Sequence, residues 1–77
     1  MNKEKEKCVN IAFTSADAGM IVYALDYLIS RYHNMIHANM DNLDAIKAFE
    51  GGMADVIRVR NMVSYAKIEL EMIKNEA

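Results

Sequence analysis

The stretch Met20–Met40, MIVYALDYLISRYHNMIHANM, constrains this chain more than any other. At 100° per residue it reads as one helix. Met20, Ile21, Ala24, Leu25, Leu28, Ile29, Tyr32, Met35 and Ile36 fall on one side, with Asp26, Ser30, His33, Asn34 and His37 opposite. A surface helix packed on a single neighbour needs an apolar stripe about 100° wide. Val22, Ile29 and Met40 widen the arc beyond that. One partner helix cannot cover it, so either the chain supplies more than one packing partner or a second copy of the chain does.

Length sharpens the demand. A chain of 77 residues without proline is one domain, and domains of this size bury only about 60% of the surface of the unfolded chain. Small domains usually add disulfides, a metal or oligomerisation. The single cysteine, Cys8, excludes an internal disulfide and, set in a charged N-terminal segment, suits a reducing compartment, so a cytoplasmic location is expected. The N-terminus MNKEKEK leads into no apolar signal region. Met20–Ile29 is interrupted by Asp26 and falls short of the roughly 20 residues that a membrane span needs, so a soluble chain is expected. A net charge of −2 argues against nucleic acid as a partner.

Residues 1–14 divide into a charged lead, Met1–Lys7, expected to fray, and a short stretch that alternates Val9, Ile11 and Phe13 with Asn10, Ala12 and Thr14. With no second strand in the chain, an extended segment packed against helices is favoured over a strand. Thr14-Ser15-Ala16-Asp17 is a helix start: a hydroxyl can accept an orphan backbone N–H, and Asp17 suits the positive helix end. The first helix then runs from about Ala16 to Ala38, roughly 34 Å at 1.5 Å per residue. Asn39-Met40-Asp41-Asn42 breaks it, with Asp41 or Asn42 available to cap the next helix and Asp44 in its first turn.

Two readings compete for the remainder. Gly51-Gly52 would cost a helix about 1 kcal/mol per glycine, which favours a break after Glu50. Ile46, Phe49, Met53, Val56, Val63 and Leu70 nevertheless keep a three-and-four spacing through the glycines. That phase favours one helix, about Leu43–Asn75, kinked at the glycines and with a left-handed drift near 3.5 residues per turn. The expected fold is all-α, an antiparallel helical hairpin over residues 15–77 that assembles into a coiled-coil-like helical-bundle homo-oligomer. Folded about Met40, it would set Val59–Val63 beside Met20–Val22 and leave Ala66–Ala77 overhanging. Met20, Leu28, Ile29, Met35, Met53, Leu70 and Ile73 are the candidate oligomer-interface residues, and the seven methionines suit irregular contacts.

Candidate chemistry is sparse. His33 and His37, one turn apart and in line with Asp41, could share a metal, but a structural zinc site wants four ligands, so no metal is expected. The pair also lacks the Glu of HExxH. Tyr23, Tyr27 and Arg31, at spacing four, could stack on and bond a nucleobase or phosphate, or rim a subunit interface. Arg60 interrupts the apolar seam between Val56 and Val63. It cannot be neutralised. Either a carboxylate such as Asp17 or Asp26 pairs with it, or it joins Arg58 or Arg31 in holding an anion. The serines and Cys8 form no nucleophile motif, and Gly51-Gly52 is too short for a phosphate loop, so no enzyme activity and no cofactor are expected. The sequence thus points to a non-enzymatic binding protein that regulates or inhibits a partner protein, with sequestration of an anionic ligand such as a nucleotide at subunit junctions as the alternative.

Overall fold

A computed structural model describes residues 7–76 as two helices, α1 (Ser15–Ala38) and α2 (Leu43–Glu76), joined by a short turn into an antiparallel hairpin. The charged lead before Lys7, and Ala77, lie outside the described residues. Thr14 starts α1 with a capping box. Its Oγ1 accepts the Asp17 N–H at 3.1 Å, and its own N–H donates to the Asp17 carboxylate at 3.0 Å. Both bonds satisfy donors that the first helical turn would leave orphaned.

Two asparagines shape the turn. Asn39 donates its N–H to the Ile36 carbonyl and its side-chain amide to the Met35 carbonyl at 2.7 Å, which closes the end of α1. Asn42 donates to the Asn39 carbonyl at 2.9 Å and accepts the Ala45 N–H on its side chain, which opens α2. No described residue adopts positive φ, so the turn needs no glycine.

α2 passes through Gly51-Gly52 unbroken. The two glycines differ. A Cβ on Gly51 would meet nothing within 4 Å, whereas one on Gly52 would lie 2.6 Å from the Tyr32 hydroxyl and 3.0 Å from Cζ of that ring. Gly52 lets the hydroxyl end of the Tyr32 ring approach the α2 backbone. Gly51 has no packing role in the hairpin.

The helices meet along a seven-residue repeat. Ser15, Ala18, Val22, Leu25, Ile29, Tyr32, Ile36 and Asn39 of α1 are all partly or wholly buried, as are Ile46, Phe49, Met53, Val56, Arg60, Val63, Lys67 and Leu70 of α2. Each series alternates steps of three and four without a slip, the repeat of a left-handed coiled coil. The register differs from a fold about Met40. Ser15 bonds Glu71, Gly19 backs on Lys67, Asp26 pairs with Arg60 and Tyr32 sits on Gly52. The cross-helix pairings are therefore centred on Asn42-Leu43 rather than on Met40, and Met20–Val22 stand level with the Ser64–Ala66 region rather than Val59–Val63. The turn itself stays at Asn39–Asn42, but the first turn of α2 stands level with it rather than with the last turn of α1, so every pairing moves along α2 by about four residues. Only the last turn of α2 extends past Ser15, so Leu70 packs in the seam and Ile73 is left exposed.

No strand forms among the described residues, and residues 7–14 have no regular structure. The expected packing of this stretch on the helices is realised by Phe13 alone, since Val9 and Ile11 are 81% and 74% exposed. The hairpin is one layer, 14 Å in its thinnest direction, close to a single helix with its side chains. Domains normally bury a core between two layers. Here, among the described residues, Ala18 alone is buried. The chain exposes 6288 Å², against about 4,700 Å² for a compact monomer of 8.7 kDa.

The contrast between the glycines predicts that Gly51→Ala raises stability by about 0.5–1 kcal/mol through helix propensity. Gly52→Ala gains the same propensity but must displace the Tyr32 ring, so it is the less stable variant of the two. Urea unfolding followed by circular dichroism checks the order, and equal gains would contradict the Tyr32 contact.

Candidate functional site

Arg60 is the charged residue that the seam has to accommodate in the middle of the hairpin. Its Nε donates to Asp26 Oδ1 at 2.9 Å and its Nη2 to Oδ2 at 3.4 Å, a two-pronged pairing of guanidinium and carboxylate across the helices. Asp26 was one of the two carboxylates that the sequence offered. Both side chains stay partly exposed, so the pair fixes register more than it adds stability. The bond to Asp26, and then its negative charge, raise the Arg60 pKa above the ordinary guanidinium value. While Asp26 carries its charge, a raised pKa on the base stabilises the fold below the unfolded guanidinium value, and the contribution fades as pH climbs through the higher folded one. The pairing therefore persists across neutral and alkaline conditions.

A second polar cluster closes the open end of the hairpin. The Ser15 hydroxyl donates to Glu71 Oε2 at 3.2 Å, and Lys67 Nζ donates to the same oxygen at 2.6 Å. The Lys67 stem passes 3.3 Å from where a Cβ on Gly19 would stand. Thr14, Ser15, Ala16, Gly19, Lys67 and Leu70 line an open recess beside it.

The five candidate ligand residues do not converge within one hairpin. Tyr23, Tyr27 and Arg31 lie exposed on the outer side of α1, away from α2. Arg58 lies on the outer side of α2 and donates to Met62 Sδ at 3.7 Å, while Arg60 is held in the seam by Asp26. Of the interface candidates, Ile29, Met35, Met53 and Leu70 are partly covered within the hairpin, and Met20, Leu28 and Ile73 are exposed. His33, His37 and Asp41 are exposed, and among the described residues no three His, Cys, Asp or Glu side chains gather as a metal site would require. No helix is long and apolar enough to cross a membrane.

Two features of the site were not read from the sequence. In the sequence Gly52 is half of a glycine pair that strains a helix and is too short for a phosphate loop, and its contact with Tyr32 depends on a register that periodicity does not supply. Ser15 and Lys67 meet through Glu71 for the same reason, although Lys67 and Glu71 stand four apart, a spacing that marks helical ion pairs.

Comparison with protein-family models, curated proteins and solved structures found no match to this chain.

If the guanidinium needs Asp26 more than the seam needs a charge, Arg60→Met will leave the hairpin as stable as the wild type or more so. Asp26→Ala will lower the melting temperature by leaving Arg60 unpaired against apolar neighbours. Thermal unfolding of the two variants decides this, and a larger loss for Arg60→Met would contradict it.

Proposed function

We propose that this chain acts by binding, as a small helical homo-oligomer of the cytosol that docks on and regulates or inhibits a partner protein. One observation carries the reading: a one-layer hairpin with Ala18 as its buried residue exposes large apolar side chains along both helices. Apolar surface on this scale marks a place of association. A layer has two broad faces, so a second copy that covers one leaves the other displayed in duplicate. Tyr23, Ile57, Tyr65 and Ile68 stand exposed along the two helices that the Asp26–Arg60 pair links, a mixture of aromatic, aliphatic and arginine side chains typical of protein interfaces. The exposed Cys8 thiol agrees with a reducing compartment.

A second reading, capture of an anionic ligand such as a nucleotide at subunit junctions, draws on Arg31. This residue has no ion pair among the described residues and follows the exposed Tyr27 by one helical turn.

Native mass spectrometry of protein isolated gently from a cytosolic extract separates the two. Binding through a homo-oligomer predicts a fixed multiple of the chain mass, and a further population carrying one protein at constant ratio. A nucleotide-sized mass at fixed ratio per subunit would replace the first reading with the second. A bare monomer would overturn both.

A further inference from the structure

The two broad faces of the hairpin are chemically unlike. The polar links between the helices, Asp26 to Arg60 and Ser15 to Glu71, lie on one of them. The other is the face on which Tyr32 meets Gly52. Helical geometry places Ile21, Leu28 and Met35 of α1 there, and beside them Gly52, Val59 and Ala66 of α2. Each series recurs every seventh residue, so the face holds its phase along a left-handed coil just as the seam does.

The two series are also complementary in size. Taking the register from the Asp26–Arg60 and Ser15–Glu71 bonds, Ile21 stands level with Ala66, Leu28 with Val59, and Met35 with Gly52. α1 offers a large side chain at each level and α2 a smaller one. Between Ile21 and Met35 and between Gly52 and Ala66, the charged residues on this face are Arg31, at the outer edge of α1, and Asp55, at the outer edge of α2. They stand at one level, on opposite edges, and neither has an ion pair among the described residues.

We infer that this face receives a second copy of the chain, related by a two-fold axis parallel to the helices, so that α1 of each copy lies antiparallel on α2 of the other. The inference rests on the homo-oligomer reading above and gives it a surface and an orientation. In this arrangement the large α1 side chains enter the spaces over the small α2 residues, as knobs enter holes. Each Arg31 comes over the Asp55 of the other copy. A two-fold perpendicular to the helices would set large on large and small on small, leaving gaps over Gly52 and Ala66. The area agrees. The whole chain, its N-terminal stretch included, exposes roughly 1,500 Å² more than a compact monomer of its mass, which leaves room for the about 800 Å² that a standard interface takes from each partner. The product is a four-helix bundle in which every neighbouring pair of helices is antiparallel.

Sedimentation equilibrium tests the surface and the orientation separately. Leu28→Glu and Val59→Glu, at residues 38% and 37% exposed, are expected to abolish the dimer, whereas Ile68→Glu on the opposite face leaves its mass unchanged. Because such variants can also unfold a protein whose folding depends on association, charge exchange is the second arm. Arg31→Glu or Asp55→Arg alone weakens dimerisation about tenfold, and the two together restore it. A wild-type chain that stays monomeric at all concentrations would overturn the homo-oligomer reading itself. An oligomer that tolerates Leu28→Glu, or dissociates with Ile68→Glu, would move the interface to another face. An oligomer weakened by both single exchanges and not restored by the double one would overturn the orientation alone.

Discussion

Two helices laid side by side cannot surround anything, and the rest of this structure follows from that constraint. Each helix offers its neighbour one stripe, and side chains on that stripe are covered from one direction only. Fifteen of the sixteen seam positions are therefore half-covered rather than enclosed, and the one described residue with no exposure is Ala18, small enough to fit between the backbones. Hydrophobic stabilisation scales with the apolar area removed from water. A hairpin that leaves this much area exposed draws little of its stability from its own fold.

Specific polar contacts then carry the task that a core usually performs, which is to select one register. Asp26 and Arg60 lock the middle of the hairpin. Ser15, Lys67 and Glu71 lock the open end, and the two asparagines lock the turn. A heptad seam without such contacts can slide by a repeat at small cost, and polar residues at seam positions specify register at some expense of stability. Gly52 adds a steric lock, because only a residue without a Cβ leaves room for the Tyr32 ring at that level.

Much of this was legible in the sequence where the signal is local. Thr14 and Asp17 announce the start of α1 three residues apart, Asn42 announces the start of α2, and the unbroken phase of Ile46, Phe49, Met53 and Val56 carries α2 through its glycines as expected. The need of Arg60 for a carboxylate was legible because a permanent charge in an apolar seam has few solutions. The register was not. It depends on how far α2 starts beyond the end of α1, which the turn residues alone do not set, and the difference moves every cross-helix pairing by about one turn. The wide arc of α1 is legible as more than one helix can cover, but its division is not. It holds two stripes, one centred on Val22 and Ile29 that meets α2, and one on Ile21 and Leu28 that the hairpin leaves open. Val9 and Ile11 show the same limit: their alternation marks a segment able to be covered, and one layer of helices offers nothing to cover it.

The central claim, that this hairpin depends on association for its stability, is tested most directly by circular dichroism over about a thousandfold dilution. Folding linked to assembly makes the thermal midpoint depend on protein concentration. The expected result is a midpoint that falls steadily on dilution, with helicity lost at the lowest concentrations. Constant helicity and a constant midpoint across the whole range would show that a one-layer hairpin stands alone, and would contradict the account.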